Sequence, residues 1–591
     1  MELYHNSQDI AFRNPFGAVT IGTQVTLRLM VQGRHGRVLL RTWNGEELYI
    51  PMIETGLGMY EATIACPDEP ILLWYDFQVE DERGHFHYYG NARDKLGGVG
   101  TTYQDKPPSF QITVYDPAWE PPQYLREGVM YQIFPDRFAR SKPPASNRKK
   151  GIYLHKNWDD IPRVDPHALE GAYSAYDFFG GDLNGIREKL PYLKDLGITI
   201  LYLNPIFRSS SNHRYDTGDY LSIDPLLGTT EDFQALCQEA RQLGMRVLLD
   251  GVFSHTGDDS IYFNRRGTYP GVGAYQSKQS PYYPWFHFRK HPDDYACWWN
   301  FKTLPAVNKD DATYREFILG EHGVARHWLH HGATGWRLDV ADELPMSFLR
   351  ELRAAVKAEN PDSTLLGEVW EDASNKIAYG QMRCYTLGDT LDSVMNYPLR
   401  DAIIHFLTGA HTAAQAVRSI RSLQENYPVP FFYSLMNLMG SHDRARILNV
   451  LVNREYTALP IAERGQQSLP QNLRALAEER FLKMVQIFMA LPGMPAIYYG
   501  DEVGMEGATD PFCRGPFPWG HEDTPLRKHV KQAIALRHQR PVLRTGALRL
   551  SYEGADTLVI ERSAIHGKDV FGQPLHDQPY ILRITRDAYR V

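Results

Sequence analysis

Four carboxyl side chains stand where apolar runs end: Asp250 in LLDGVFSH, Asp339 in GWRLDVA, Glu368 in LLGEVW and Asp443 in MGSHD. A single acid at a strand end is commonly a helix cap or a solvated group. Their repetition points elsewhere, because the carboxyl ends of barrel strands converge on one face, where active sites of that architecture lie. Paired carboxyls suit glycoside hydrolysis. One donates a proton to the departing oxygen, and the other, ionised, attacks or stabilises the positive anomeric carbon. Asp339 and Glu368 occupy consecutive strand ends, which fits that division. Arg337, two residues before Asp339, shares its strand face and is expected to hold Asp339 ionised.

Three histidines add to the set: His213 in NHRYDTGDY, His255 after the Asp250 run, and His442 beside Asp443. As donors to sugar hydroxyls they would orient a ring; as ordinary core histidines they would do no chemistry. A metal cluster lacks its signature, since there is no HExxH or close multi-histidine spacing, so no metal site is predicted. Tyr215 is placed to stack beneath a sugar, with Asp216 shaping its loop. FFGGDLNGI at 178–186 has neither the Walker-type ending nor the dinucleotide glycine spacing, so a phosphate cradle is not predicted.

The elements that must position these groups are apolar strands separated by amphipathic helices. Strands are predicted at 129–134, 198–205, 246–253, 335–341, 364–370, 393–399, 432–440 and 496–500. IREKLPYLKDLG and TEDFQALCQEARQLG carry apolar residues at helical spacing between them. Strands buried on both faces read as continuous apolar runs, so the order fits a central (β/α)8 TIM barrel. The span from Asp250 to Asp339 far exceeds the roughly 30 residues of one barrel unit. An inserted subdomain after the third strand is therefore predicted, unusually aromatic in YYPWFHF and YACWWNF. These rings either form a small core of their own or line a ligand cleft.

Residues 12–115 alternate in short runs, among them 25–31, 37–43 and 110–115, which predicts an N-terminal β-sandwich followed by a proline-rich linker at 115–125. A short C-terminal β domain closes the chain. The predicted divisions are 1–120 for the sandwich, 121–255 and 311–535 for the barrel, 256–310 for the insertion and 536–591 for the C-terminal domain.

Composition excludes several partners. The 591 residues carry a net charge of −8 without a basic block, which argues against a nucleic acid as main ligand. No apolar run reaches the roughly 20 residues of a membrane span, and the opening residues lack a signal-peptide pattern. Five scattered cysteines without a CxxC suggest neither a disulfide framework nor a thiolate metal site. A cytoplasmic protein is the expectation.

With these motifs in order from about 129 to 507, the sequence resembles the α-amylase superfamily, in its neopullulanase, cyclomaltodextrinase and maltodextrin glucosidase branch. The resemblance rests on VMYQIFPDRFARS, FFGGDLNGI, LYLNPIF, NHRYDTGDY, LLDGVFSH, GWRLDVADE, LLGEVWED, MGSHDRAR and IYYGDEVGMEG, with DPFCRGPFPW at 510–519 close to maltodextrin glucosidase. It implies Asp339 as nucleophile, Glu368 as general acid/base and Asp443 as stabiliser of the distorted sugar. It also implies Arg337, His255 and His442 around the reacting sugar, Tyr215 as its platform, Val340 and Trp370 toward the leaving group, and Asp250 as an orienting residue. The N-terminal domain would be a starch-binding-type module and a route to a homodimer.

Three places depart from the family pattern. Ser254 stands where the family carries asparagine, LPAVN at 304–308 replaces the MPKLN type, and ARSKPPASN lacks the carboxylate pattern by which some relatives bind calcium. No cofactor is required and no calcium site is predicted. The expected function is retaining hydrolysis of α-1,4-glucosidic bonds in maltodextrins, with cyclomaltodextrins and pullulan as further substrates. A glucosyl transferase or isomerising enzyme would use the same covalent intermediate, and a glucan-binding protein would bind without turnover.

Overall fold

The computed structural model describes residues 1–143, 149, 151–164 and 175–586. The core of the chain is one sheet of eight parallel strands: β1 (Met130–Ile133), β2 (Ile200–Leu203), β3 (Arg246–Gly251), β4 (Gly335–Leu338), β5 (Thr364–Gly367), β6 (Ser393–Val394), β7 (Met436–Leu438) and β8 (Met494–Tyr498). Hydrogen-bonded neighbours run β6-β5-β4-β3-β2-β1-β8-β7. A parallel bridge between Met395 and Met436 joins β6 to β7 and closes the ring. Closure removes the free edges that an open sheet would expose.

Alternation decides which side chains enter the barrel. Met130, Ile200, Tyr202, Leu248, Leu366 and Met436 pack together inside, whereas Tyr131, Leu201, Leu249, Trp336 and Leu365 join the layer under the helices. Both sets are fully buried, which is why the strands read as unbroken apolar runs. Helix Thr230–Gln242 shows the sequence logic of the outer layer. Thr229 and Asp232 form a capping box at its start, and Phe233, Leu236, Cys237 and Ala240 face the barrel.

Several expected boundaries move. The sixth predicted strand overran: Pro398 lies in the first turn of helix Tyr397–Thr408, where its missing N–H does no harm. The seventh began too early, since Phe432 ends the short helix Val429–Phe432. IREKLPYLKDLG is two helices, Leu183–Glu188 and Leu190–Leu196, with Pro191 opening the second. The expected linker is partly structural, because Gln123–Glu127 is helical and Leu125 is buried at the barrel floor with Met130 and Ile200. Helix Pro525–Gln539 runs through the expected boundary at 536, and the antiparallel C-terminal sheet starts at Ala547.

The N-terminal region is two sheets facing each other across Val25, Leu27, Leu29, Leu40, Tyr75, Phe77, Phe110 and Ile112, antiparallel except where Val19–Thr20 runs parallel to Phe110–Tyr115. The strand Gln24–Gln32 alternates buried and partly exposed positions throughout, as one face of a sandwich requires. This region is fastened to the barrel by polar groups. Arg13 pairs with Glu425 at 3.0 Å, both fully buried, and Gln111 donates to Ser374 at 2.9 Å and accepts from Asn375 at 2.6 Å.

Candidate functional site

Arg337 is the hub of the barrel mouth. Register pairs it with Asp250 on β3 and Leu366 on β5, so its side chain enters the ring two residues below Asp339. Its Nη1 donates to Asp250 at 2.7 Å and to Asp339 at 3.0 Å. Its Nη2 lies 2.8 Å from Glu368 Oε2, a charge contact off the hydrogen-bonding direction. One guanidinium thus serves three carboxyls, Asp339 among them. Burial pushes the Asp339 carboxyl well above its ordinary range; Arg337 opposes this, while Glu368 and Asp250 reinforce it. Asp443 is pushed up to about 7 by burial and then by Glu368, although its side chain opens to the cleft, which tempers the rise.

Asp250 is saturated by structural bonds. It accepts from the Tyr202 hydroxyl at 2.6 Å, the Tyr215 hydroxyl at 2.8 Å and Arg337. Tyr215 stacks flat on His442, with ring centres 5.3 Å apart and planes 6° apart. The hydrogen bonds assign the His442 tautomer: Gln132 donates to Nδ1 at 2.9 Å, so Nε2 carries the proton and faces Tyr215 at 2.7 Å and Asp443 at 3.2 Å. Burial drives His442 well below its ordinary pKa, keeping it neutral.

His255 is held by two protein atoms. Its Nε2 donates to the Tyr215 carbonyl at 3.1 Å, and Ser254 fills the other nitrogen at 3.0 Å. Both nitrogens are therefore taken by protein atoms, and burial lowers the ring to about 4. Ser254, in the place of the family's asparagine, makes the second of these bonds. His213 accepts the Tyr215 backbone N–H at 3.1 Å, so two histidines brace the tyrosine. Asp216 accepts from Ser209 at 2.6 Å and from the Ser210 N–H at 3.2 Å, which holds the loop rather than reaching into the cleft.

Glu368 is aimed by backbone strain. Val340 follows Asp339 at φ 39° and ψ 66°, a left-handed conformation that a β-branched residue rarely adopts. The turn directs the Val340 N–H to Glu368 Oε2 at 2.9 Å, while the Trp370 indole donates to Oε1 at 3.1 Å. Trp370 stacks on Tyr397 at 4.0 Å, and Arg444 lies 4.5 Å over its ring. Glycine takes positive φ without strain, so Val340→Gly is expected to gain about 1 kcal/mol in urea unfolding, after the entropy that glycine adds to the unfolded chain. The same variant should lose kcat several-fold, because its N–H no longer has a fixed direction; equal kcat would show that the strain does not position Glu368.

Three groups escaped the sequence reading. Gln132, at an inward position of β1, and Asn204, just past the end of β2, are buried polar residues bonded to each other at 3.1 Å. A polar residue at an inward position of an apolar strand is the signal that could have found Gln132. Arg514 donates to the His442 carbonyl at 3.0 Å, lies 3.7 Å from Asp443 and pairs with Asp510 at 3.1 Å. It lies in DPFCRG, within the 510–519 stretch that carries the likeness to maltodextrin glucosidase. The ARSKPPASN stretch is partly outside the described residues, from 144 onward.

A closed parallel barrel with carboxyls gathered around one arginine at its carboxyl end is a (β/α)8 protein with its candidate site on the face where active sites of this fold lie. The chain belongs to the α-amylase family of glycosidases, since the model of the alpha amylase catalytic domain matches residues 132–545. It is 38% identical over 99% of its length to an amylopullulanase of Thermoanaerobacterium saccharolyticum, of which it spans only 48%. It is 34% identical over 83% of its length to neopullulanase 2 of Thermoactinomyces vulgaris, covering 75% of that protein. Among solved structures, a cyclic α-maltosyl-(1→6)-maltose hydrolase of Arthrobacter globiformis matches with a TM-score of 0.63 and 33% identity, over 76% of this chain and 90% of that one.

Proposed function

We propose that the chain hydrolyses α-1,4-glucosidic bonds of maltodextrins with retention of configuration, acting also on cyclomaltodextrins and pullulan. The observation that carries this is the single guanidinium of Arg337 in reach of both Asp339 and Glu368. Two carboxyls sharing one cation at adjacent strand ends support a nucleophile and acid/base pair. Glu368, in its protonated form, gives its proton to the glycosidic oxygen as Asp339 Oδ attacks the anomeric carbon and the C–O bond breaks. The leaving chain departs as an alcohol, and Asp339 carries the glucosyl ester. Glu368, now ionised, takes a proton from water, which attacks the same carbon and frees Asp339. Asp443 and Tyr215 support the distorted ring, and no cofactor enters any step. A glucosyl acceptor in place of water would give transfer by the same route.

NMR of the first product formed from maltotriose tests the reading: the α anomer is expected, and a β anomer overturns it. Glu368→Gln divides the steps. It should cut maltotriose at most about 10⁻³ as fast as the parent. With α-glucosyl fluoride, whose leaving group needs no proton, it should accumulate an ester on Asp339 visible by intact mass; the absence of added glucosyl mass would remove Glu368 from the acid role.

Two further readings accompany this one. Leu48 and Tyr49 on the strand Glu47–Pro51, Ile53 on the strand Ile53–Gly56 and Leu57 just after it are exposed close together in sequence, which supports a homodimer through the N-terminal domain, readable by sedimentation. The five cysteines are unpaired, which supports a cytoplasmic setting. Among the described residues no helix is long and apolar enough to cross a membrane.

A further inference from the structure

The strained turn that aims Glu368 needs something to hold it, since an unfavourable backbone persists only where its surroundings over-determine it. Its own bonds are slight. The Glu343 N–H closes on the Val340 carbonyl at 2.9 Å and the Leu344 N–H on the Ala341 carbonyl at 3.1 Å, a single 3-10 turn over Ala341–Glu343. The Ala341 N–H donates to the Glu368 carbonyl at 3.2 Å, so the turn also meets the backbone of the acid itself. Ala341 and Leu344 are buried but Asp342 and Glu343 between them are not, so apolar packing fixes only the ends of the turn.

The middle is gripped by a hairpin farther along the chain, Lys376–Ala378 paired with Gln381–Arg383. Of residues 376–383 only Arg383 is buried, while Ile377, Tyr379 and Met382 are exposed. No core seats this hairpin. Its register sets Lys376 directly opposite Arg383, a pairing of like charges that disfavours the two strands unless both side chains find partners elsewhere. Both find Asp342. Lys376 pairs with its carboxylate, as it does with Glu371, and Arg383 Nη2 donates to its carbonyl at 3.0 Å while Nη1 donates to the Leu344 carbonyl at 3.2 Å. The Tyr385 hydroxyl adds a bond to Asp342 Oδ1 at 2.6 Å, and the Tyr379 hydroxyl donates to Glu343. A planar guanidinium spans two carbonyls in a fixed geometry that a flexible ammonium does not reproduce.

We propose that Arg383 is a positioning residue for proton transfer by Glu368: its fork, helped by Lys376 and Tyr385, locks the turn at 341–344 and so keeps the Val340 N–H on Glu368 Oε2. The carboxyl must meet the glycosidic oxygen along one direction, and a general acid free to swing loses much of its advantage. Asp339 does not depend on the clamp. Arg337 holds its carboxylate, and its own N–H donates to the Gly251 carbonyl at 3.1 Å, both from the strand side. The clamp therefore acts on the acid and leaves the nucleophile in place. The proposal rests on the role given to Glu368 above, and its test separates the two.

Arg383→Met and Tyr385→Phe are compared with the parent on maltotriose and on α-glucosyl fluoride, whose leaving group needs no proton. Since kcat/KM reports the steps up to departure of the leaving group, its value for maltotriose should fall about 10-fold in Arg383→Met and about 3-fold in Tyr385→Phe, while the value for the fluoride stays within about twofold. Tyr385→Phe removes one hydroxyl and keeps the test open if Arg383→Met folds poorly. Equal losses on both substrates overturn the proposal, because they make the clamp a support of the whole site. An unchanged ratio with a lower melting temperature overturns it too, since Arg383 would then serve the fold alone. A parent that turns over neither substrate defeats the glucan-hydrolase reading, and one whose Glu368→Gln variant still cleaves maltotriose at the parent rate defeats the acid role. If Glu368→Gln fails on maltotriose and the ratio in Arg383→Met is unchanged, only the clamp is wrong.

Discussion

Replacing Asp339 by asparagine should lower kcat on maltotriose by on the order of 10⁴-fold or more, because the amide can neither form the glucosyl ester nor carry negative charge to the anomeric carbon. Binding should survive, since asparagine keeps the shape of aspartate and the groups around it are held independently: Asp250 by Tyr202, Tyr215 and Arg337, and Glu368 by Val340 and Trp370. Steady-state turnover beside calorimetric binding of maltotriose separates the two effects. Turnover within tenfold of the parent would show that another group attacks the sugar. Loss of binding with loss of turnover would place Asp339 in ground-state recognition. The variant should also melt no lower than the parent, because it removes one negative charge from a buried cluster in which Arg337 is the shared cation.

The parts of this site that lay open to sequence reading were those written along one strand. Strand ends were visible because barrel strands are continuous apolar runs, and the alternation of two residues placed Arg337 beneath Asp339. The errors arose where a local signal was shared by two structures. Tyr397 and Leu399 are as apolar as a strand requires, yet Asn396 caps them into a helix by accepting from the Leu399 N–H at 3.2 Å. Leu125 sits in a proline-rich stretch that reads as a linker, and only the barrel floor reveals its burial.

Contacts made by convergence could not be read in this way. That Arg337 reaches Asp250, Asp339 and Glu368 together depends on three strands meeting, so a pairing inferred from two positions on one strand named one partner of three. His255 shows the same limit. Its type suggested a donor to sugar, and its bonds to Ser254 and to the carbonyl of Tyr215, a residue far along the chain, could not be read from type. In the insertion, composition could not sort core rings from surface rings; exposure and the left-handed turn at Trp299 do so.

Arg337→Met should cost about 3–5 kcal/mol of stability, the usual result of leaving buried charges without their partner. Methionine keeps much of the volume, so the loss is electrostatic rather than a cavity. Its dependence on pH gives the distinguishing result. Asp339 and Asp250 already sit above the ordinary carboxylate range through burial, with Arg337 the largest opposing influence on each. Without Arg337 their folded-state pKa values rise further. A carboxyl raised in the folded state favours folding fully below its unfolded pKa of about 4, and that contribution is lost as pH rises through the folded value. Removing Arg337 deepens this loss, so the deficit of Arg337→Met relative to the parent should be small near pH 4.5, where the cluster can take up protons, and should grow toward pH 8. Urea unfolding at the two pH values measures it. A deficit independent of pH would mean that the guanidinium contributes mainly by packing, while a deficit that shrinks with rising pH would reverse the sign of the coupling. Turnover should be lost at both pH values, because the same charge that neutralises the cluster also aligns Asp339 with Glu368.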